Sequence, residues 1–196
     1  MENQSTRERI VAAANRLFYR EGIRAVSVDA VAEEAGITKR SLYYHFQSKD
    51  ELITAYLASR DQPNLESYRR WFEAAEGDAG DRVAAIFGRL AKAARRADWK
   101  GCGFLRTSAE LANLPGHPAL KVGAAHKKKF ERWMAERLTA AGIGEALPLA
   151  RQIMLLLDGA FSVVMLHHDP SYMEVAGEAA RTLVRNAART STAETR

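Results

Sequence analysis

The chain has 196 residues, of which 47% are hydrophobic and 27% are charged, and its formal net charge is +5. This composition is typical of a folded protein and excludes wholesale disorder, while the length fits one globular unit or two small units that share a core. The single cysteine, Cys102, excludes an intramolecular disulfide framework and a cysteine-rich zinc site.

The sequence predicts neither a membrane span nor a signal peptide, and we expect a cytoplasmic protein. The longest apolar run, residues 153–166, is interrupted by Asp158 and is shorter than the ~20 residues that a bilayer helix needs. Residues 1–9 are polar and include acids as well as arginines, unlike the start of a signal peptide.

Apolar residues recur at three- and four-residue spacing along the whole chain, which is the period of amphipathic helices. We therefore predict an all-α fold of about nine helices, in which a three-helix helix-turn-helix domain (1–52) precedes a larger helical domain for ligand binding and dimerisation (53–196). The predicted helices lie near residues 6–20, 28–35, 39–46, 49–75, 80–98, 104–113, 117–141, 146–168 and 170–189. A break of the fourth helix at Pro63 stays open, and the polar tail from Thr190 is expected to fray.

The first fifty residues contain the signals of a helix-turn-helix. Ser5 with Glu8 forms a capping box, and Ser27 and Thr38 are good N-caps for the second and third helices. The segment 35–38 is a tight turn that contains Gly36. Two short helices around such a turn, braced by a preceding helix, make this motif.

The third helix is predicted to present a polar and aromatic face to DNA. At about 100° per residue, Leu42 and Phe46 define the inward stripe of this helix. The outward and flanking side chains are basic, aromatic or polar, and they comprise Lys39, Arg40, Ser41, Tyr43, Tyr44, His45 and Gln47. Such a helix fits the major groove, where arginine and lysine donate to guanine edges and tyrosine and histidine reach phosphates or thymine methyls.

The predicted helix-turn-helix domain has no net charge, but its positive charges are concentrated in one segment. Residues 1–52 contain eight basic and eight acidic side chains, whereas residues 37–49 carry three positive charges and no acid. Phosphate binding depends on where the charge lies, and Arg7 and Arg9 are expected to add to it as arm residues.

The run from Gly36 to Leu52, which contains Leu42-Tyr43-Tyr44-His45-Phe46 and Lys49-Asp50-Glu51-Leu52, closely resembles the signature of TetR-family (tetracycline-repressor-like) transcriptional regulators. The resemblance implies that Thr38, Lys39, Arg40, Tyr43, His45 and Lys49 contact DNA. The outward-facing Tyr44 and the helix 2 cap Ser27 complete the predicted DNA-binding set. Asp29 is acidic where better-known members can place a contacting residue, so we do not expect the second helix to read bases. The alternative is that Tyr43 only packs and that Lys39 and Arg40 form a solvated face.

The two C-terminal helices are predicted to form a dimer interface. The eighth is apolar on nearly every side, so it must be buried on more than one face, and the ninth carries a stripe of small residues. The predicted dimerisation residues are Leu157, Phe161, Val164, Ala176, Ala180 and Leu183. Two copies of the third helix about 34–36 Å apart would then read a palindromic operator. The alternative is that the eighth helix is only a central core helix.

Aromatic residues concentrate in the middle of the chain, and cavities lined by aromatic and a few polar groups suit small ligands. The resemblance implies an effector there, and the candidate lining residues are Trp71, Phe72, Phe87, Phe104, Ser108 and Trp133. Each of these aromatics could equally well fill the core.

No enzyme, metal site or cofactor is predicted. The sequence contains no GxSxG, P-loop, GxGxxG or HExxH motif, and the adjacent His167 and His168 point about 100° apart on one helix. The combined prediction is a ligand-responsive repressor that binds palindromic double-stranded DNA as a homodimer and is released by a small apolar or aromatic effector. The alternative is a helical dimeric module that binds a ligand or a protein without touching DNA.

Overall fold

The computed structural model describes residues 5–194, and within them nine helices follow one another without a strand. The helices are α1 (Thr6–Glu21), α2 (Val28–Glu34), α3 (Lys39–His45), α4 (Lys49–Glu73), α5 (Ala79–Ala94), α6 (Gly103–Glu110), α7 (Pro118–Ala140), α8 (Ala146–His167) and α9 (Ser171–Glu194). The predicted all-α fold is confirmed.

The structure answers the open question at Pro63, and several helix ends differ from the sequence prediction. Helix α4 continues through Pro63 without a break, although proline has no N–H for the helical hydrogen bond at that position. Helix α5 ends at Ala94, four residues early. Helix α9 continues to Glu194, so the tail predicted to fray from Thr190 is helical that far; residues 195–196 lie outside the described part of the chain.

The chain divides into two compact units, which we call the head unit and the body unit. The head unit comprises the chain up to Pro63 together with Cys102–Ala125, and the body unit comprises Asn64–Gly101 and the chain from His126 onward. This division differs from the predicted boundary at residue 52, because α6 is bonded to the helix-turn-helix: Nη1 of Arg106 donates to the carbonyl oxygen of Tyr19 at 2.6 Å. The functional division at residue 52 stays a prediction.

The head unit has an apolar core built from α1, α2, α3 and α4. Ile10, Val31, Leu42 and Leu52 are fully buried, and the ring of Phe18 meets that of Tyr56 edge-on at 5.5 Å. The predicted capping box opens α1, where the Ser5 side chain accepts the Glu8 N–H and the Glu8 side chain accepts the Ser5 N–H. These hydrogen bonds from Ser5 lower the pKa of Glu8.

Close helix packing organises the body unit. Helices α5 and α9 approach each other at glycines, since a Cβ on Gly177 would lie 2.8 Å from the Cβ of Phe87 and one on Gly80 would lie 3.0 Å from the carbonyl oxygen of Arg181. Asp78 is the N-cap residue of α5, and it also accepts a 2.8 Å hydrogen bond from Arg185 of α9. Both contacts fix α9 along α5.

Helix α8 is the one helix in residues 5–194 that is long and apolar enough to cross a membrane, with a mean hydropathy of 1.6 in its most apolar window. It also buries nine residues inside the protein, among them Leu149, Ile153 and Leu157. The core helix of a folded domain has the same length and composition, and this burial is typical of such a helix.

Candidate DNA-binding surface

Local hydrogen bonds hold α2 and α3 in the helix-turn-helix arrangement. The hydroxyl groups of Ser27 and Thr38 accept the N–H groups of Ala30 and Ser41, at 3.0 and 3.2 Å, and so cap the two helices. At the turn, Gly36 has a φ of +64°, which glycine adopts without strain. The capping roles predicted for Ser27 and Thr38 match this geometry, and their side chains lie at the start of each helix.

Arg9 binds the turn between the two helices. Its Nη2 donates to the carbonyl oxygen of Ala35 at 2.7 Å and lies 3.4 Å from that of Gly36. The guanidinium group of Arg7 stacks over the ring of Phe46 at 4.8 Å. Both arginines, predicted as phosphate-binding arm residues, therefore brace the helix-turn-helix from α1.

The outer face of α3 is exposed as its spacing predicts. Tyr44 is 85% exposed and Tyr43 is 44% exposed, whereas Leu42 and Phe46 are completely buried. Lys39, Arg40 and Thr38 are also exposed, and His45 is half-buried with its ring 5.1 Å from that of Tyr44. This surface offers two cations, two phenol groups and one imidazole group on about two helical turns.

An acidic residue of α2 lies within this basic surface. The ammonium group of Lys39 donates to the carboxylate of Asp29 at 2.9 Å, and both side chains are exposed. The hydrogen bond and the charge of Asp29 raise the pKa of Lys39. Asp29 of α2 therefore binds a lysine of α3 on the other side of the turn. Helix α2 has no basic residue, but through this ion pair it helps to orient α3.

Lys49 lies at the first position of α4, directly after α3. Its Nζ is 3.5 Å from the carbonyl oxygen of Arg24, and partial burial lowers its pKa, although the nearby carboxylates of Glu110 and Asp50 oppose this effect. The side chain is half-buried, and its cation is anchored beside the N-terminus of α4. A helix N-terminus with a cation beside it favours an anion such as a phosphate.

Three residues of α6 and the loop after it support this surface, and sequence analysis missed all three. The Glu110 carboxylate accepts the N–H groups of Ile23 and Arg24 at 3.3 and 2.9 Å, and Arg106 binds the last turn of α1 as described above. The Nδ1 of the buried His117 accepts the N–H of Ala119, and its Nε2 lies 3.4 Å from the Asp50 carboxylate. The one local signal was the four-residue spacing of Arg106 and Glu110, which places both on one helix face.

Comparisons with known proteins agree with this geometry. Residues 10–56 match the sequence profile of the bacterial regulatory proteins of the tetR family. The crystal structure of a TetR-family transcriptional regulator from Streptomyces coelicolor has 31% sequence identity and a TM-score of 0.75, over 94% of this chain and 95% of the other. The chain belongs to the TetR family. It is therefore a DNA-binding transcriptional regulator and not an enzyme.

Curated relatives match this TetR-family regulator over about a third of its length, and these matches cover less than a third of the relatives' own length. SrpR of Pseudomonas putida is 40% identical over 62 residues, which is 32% of this chain and 29% of SrpR. TtgR of Pseudomonas putida is 43% identical over 58 residues, which is 30% of this chain and 28% of TtgR. A TetR transcriptional regulator from Legionella pneumophila, 22% identical with a TM-score of 0.78 over 93% of this chain and 98% of the other, shares the fold.

The predicted effector-binding residues lie in both units of the regulator. In the body unit, Phe72 and Trp133 meet edge-on at 5.6 Å, Trp71 contacts Tyr68 at 5.8 Å, and Phe87 is buried against α9. The other two predicted residues, Phe104 and Ser108, belong to α6 in the head unit. Within the body unit these aromatic side chains pack against one another, as the residues of a hydrophobic core do.

An open groove of the body unit, about 810 Å³ in volume, lies between α7 and α8. Its lining residues are charged or small apart from Leu147, and none of the predicted effector-binding residues belongs to them. Within residues 5–194, no group of three histidine, cysteine, aspartate or glutamate side chains is placed to hold a metal ion.

The structure changes the set of residues that can face a second subunit. Leu157, Phe161, Val164 and Ala180, predicted at the dimer interface, are buried in the body unit, and Ala176 and Leu183 are half-buried. A side chain buried within its own subunit cannot supply an exposed contact face, because its surface is already covered. The exposed apolar residues of α8 and α9 are Leu147, Leu155, Leu166, Tyr172 and Val175.

Proposed function

We propose that this regulator represses transcription as a homodimer that binds a palindromic operator and is released by a small apolar or aromatic effector. The observation that carries the proposal is the exposed outer face of α3, with its neighbouring basic residues. The proposed DNA contacts are Ser27, Thr38, Lys39, Arg40, Tyr43, Tyr44, His45 and Lys49. The proposed site of action is the cytoplasm, where the DNA is.

Each side chain of this face has a chemical role in the proposal. Arg40 is exposed and none of the described residues pairs with it, so it is free to donate to a guanine edge. Tyr43, His45 and Lys49 carry donors suited to phosphate oxygens. Thr38 and Ser27 use their hydroxyl oxygens to cap helices, so they would contact DNA through the hydroxyl hydrogen or the helix N-terminus beside them.

The proposal of a dimer is supported by apolar surface on α8 and α9. Leu155 and Leu166 are 72% and 74% exposed, and Val175 is 66% exposed. A second copy of the same face would cover them about a two-fold axis. A two-fold dimer presents two α3 helices, which is why we propose a palindromic operator.

The proposed effector contacts are mainly aromatic side chains. The proposed contacts remain Trp71, Phe72, Phe87, Phe104, Ser108 and Trp133. Of these, the pair Phe72 and Trp133 supports the proposal best, because their edge-on rings offer an aromatic wall. Phe87 is the weakest member because it packs against Gly177 of α9.

A mobility-shift experiment tests the DNA-binding part of the proposal. The probe is a palindromic duplex from the promoter region of the protein's own gene, with a scrambled duplex of the same composition as competitor. We expect specific retention of the palindrome by the parent protein. The double variant Lys39→Ala and Tyr43→Ala should bind at least about tenfold more weakly, since both side chains lie on the outer face of α3.

The matched control is Lys92→Ala together with Arg69→Ala, which removes two exposed basic side chains, from α5 and α4, that lie outside both the α3 face and the proposed dimer face. The control should bind the palindrome as the parent does. Equal binding by the α3 double variant would refute α3 as the reading helix. A protein that dimerises but retains no duplex would instead favour a helical ligand- or protein-binding module.

A further inference from the structure

The N-terminus of α6 faces a polar cluster of the head unit in which Tyr56 and Gly103 are buried and the other members are half-buried. We name it the Arg60 cluster, and it consists of Tyr19, Tyr56, Arg60, Gly103 and Arg106. A Cβ on Gly103 would lie 2.8 Å from the hydroxyl oxygen of Tyr56 and 3.4 Å from Nε of Arg60. Because glycine lacks that atom, the Tyr56 hydroxyl group can pack directly against the first residue of α6, with Arg60 Nε close by.

Neither donor has a partner among the described residues. Tyr56 is only 1% exposed, and its hydroxyl group makes no hydrogen bond within residues 5–194. The Nε of Arg60 is buried and has no hydrogen-bond partner. A buried donor such as Arg60 Nε normally has an acceptor, so an acceptor is missing beside it.

The cluster is also positively charged without a nearby acid that pairs with it. The guanidinium group of Arg60 lies over the rings of Tyr19 and Tyr56, at 4.7 and 5.8 Å, and that of Arg106 lies 5.9 Å from the Tyr19 ring. Across the described residues, no carboxylate forms an ion pair with Arg60 or Arg106. Two cations that share one aromatic ring repel each other unless an anion lies near them.

The start of α6 adds to this positive potential. The side chain of its N-cap residue, Cys102, does not cap the first turn, whose N–H groups form the positive end of the helix dipole. Burial raises the pKa of the Tyr56 hydroxyl, which the charges of Arg60 and Arg106 oppose. The hydroxyl therefore stays protonated at neutral pH and can donate.

We propose that the Arg60 cluster binds the carboxylate group of a small ligand, with Arg60 Nε, the Tyr56 hydroxyl and the first N–H of α6 as donors. The proposal rests on the ligand-responsive function proposed above and refines it, since it makes the effector an apolar or aromatic carboxylate rather than a neutral molecule. A carboxylate has the charge and the planar pair of oxygens that an arginine and two further donors recognise.

Binding of matched acid and amide probes tests the proposal. The probes are sodium acetate, benzoate and octanoate, with acetamide, benzamide and octanamide as neutral counterparts. Isothermal titration calorimetry on the full chain measures each affinity at concentrations up to about 10 mM. We expect at least one carboxylate to bind about tenfold or more tightly than its amide, because charge-assisted hydrogen bonds distinguish them.

Three variants assign that preference to the cluster. Arg60→Gln should weaken carboxylate binding about 10- to 100-fold, Arg60→Lys should restore part of it, and Tyr56→Phe should weaken it about tenfold with little change in shape. The control is Arg69→Gln, which removes an exposed arginine from the same helix. Circular dichroism of each variant reports whether the helical fold is intact.

Two results would overturn the proposal. One is that no carboxylate binds better than its amide, and the other is that Arg60→Gln and Tyr56→Phe both bind the carboxylate as the Arg69→Gln control does. A mobility shift in the presence of the same probes separates this proposal from the proposed function. Carboxylate binding that depends on Arg60 but leaves the DNA complex intact would support the site and contradict release by this ligand.

Discussion

The ion pair between Lys39 and Asp29 joins a cation of the proposed DNA-binding face to an acid of the preceding helix. On DNA, the carboxylate of Asp29 would lie near the phosphates that the α3 face approaches. Asp29→Asn should therefore raise the affinity for non-specific duplex DNA by roughly two- to fivefold at low salt, and by less at physiological salt. Fluorescence anisotropy with a random-sequence duplex measures this change.

The control for the removal of the Asp29 charge is Glu145→Gln, which removes one negative charge outside the proposed DNA-binding face. Glu145 makes no side-chain hydrogen bond at the start of α8. It should leave DNA affinity unchanged. An Asp29→Asn protein that binds DNA more weakly than the parent would show instead that Asp29 is needed to orient Lys39.

The Glu110 carboxylate provides a second test at the scale of single residues. It accepts two backbone N–H groups of the segment between α1 and α2, and a glutamine side chain has only one acceptor oxygen. Glu110→Gln should lower the free energy of unfolding by about 1–2 kcal/mol, as expected for the loss of a charge-assisted hydrogen bond. Urea denaturation followed by circular dichroism measures it, with the exposed Glu66→Gln as control; equal midpoints for the two variants would contradict the prediction.

The interior and surface of α3 could be predicted from its sequence, whereas the roles of Arg9 and His117 could not. The spacing of Leu42 and Phe46 alone determines which side of a seven-residue helix is apolar. Arg9, by contrast, donates to a carbonyl oxygen 26 residues away, and His117 faces a carboxylate 67 residues earlier in the chain. Such contacts depend on tertiary packing, which no local pattern records.

Among the helices, the contact of α5 with α9 depends on glycine. A Cβ on Gly177 would meet the Cβ of Phe87 at 2.8 Å, closer than two carbon atoms can approach, so one helix would have to shift. Gly177→Ala should therefore lower the free energy of unfolding by about 1–3 kcal/mol, even though alanine favours helices. Chemical denaturation measures the change.

Gly88 of α5 supplies the matched control, because nothing lies within 4 Å of its Cβ position. Gly88→Ala should raise the free energy of unfolding by roughly 0.5–1 kcal/mol through helix propensity alone. Stabilisation by both alanines would mean that α5 and α9 are not in tight contact at Gly177.

Helix boundaries set by local chemistry were predicted well, and those set by packing were not. Ser5, Ser27 and Thr38 cap α1, α2 and α3 because a side-chain hydroxyl beside a free N–H acts locally. Pro63 is the instructive exception, since a proline inside a helix normally ends or kinks it. Helix α4 continues there, with Leu65, Tyr68 and Phe72 buried beyond the proline, and this burial stabilises the helix that proline alone would disfavour.

For the whole molecule, the exposed leucines of α8 predict how the proposed dimer can be separated. Replacing Leu155 and Leu166 with arginine adds two positive charges to each subunit, so four like charges would repel one another at the proposed interface. The dissociation constant of the dimer should rise about 100-fold or more, as measured by sedimentation equilibrium. Leu114→Arg, at an exposed leucine of the loop after α6, should leave it unchanged, and a double variant that dimerises like the parent would exclude this face as the interface.

Salt provides a test of the complete protein on DNA. If a dimer neutralises six or more phosphates, its specific affinity should fall by roughly 10³-fold between 50 and 200 mM salt. Titration of the palindromic duplex at several salt concentrations gives the slope. A flat response would contradict the phosphate contacts proposed for Tyr43, His45 and Lys49.

The seven residues of α3 make about two turns, far fewer than the ~12–15 residues that an isolated helix needs to be even marginally stable in water. The burial of Leu42 and Phe46 therefore stabilises α3 as a helix. If the core of the head unit unfolds, α3 must unfold with it. On heating, DNA recognition and the native fold should vanish over the same narrow interval. If the protein represses as proposed, a gene under its control would then be switched on abruptly by heat at the melting point of the protein, with no effector present.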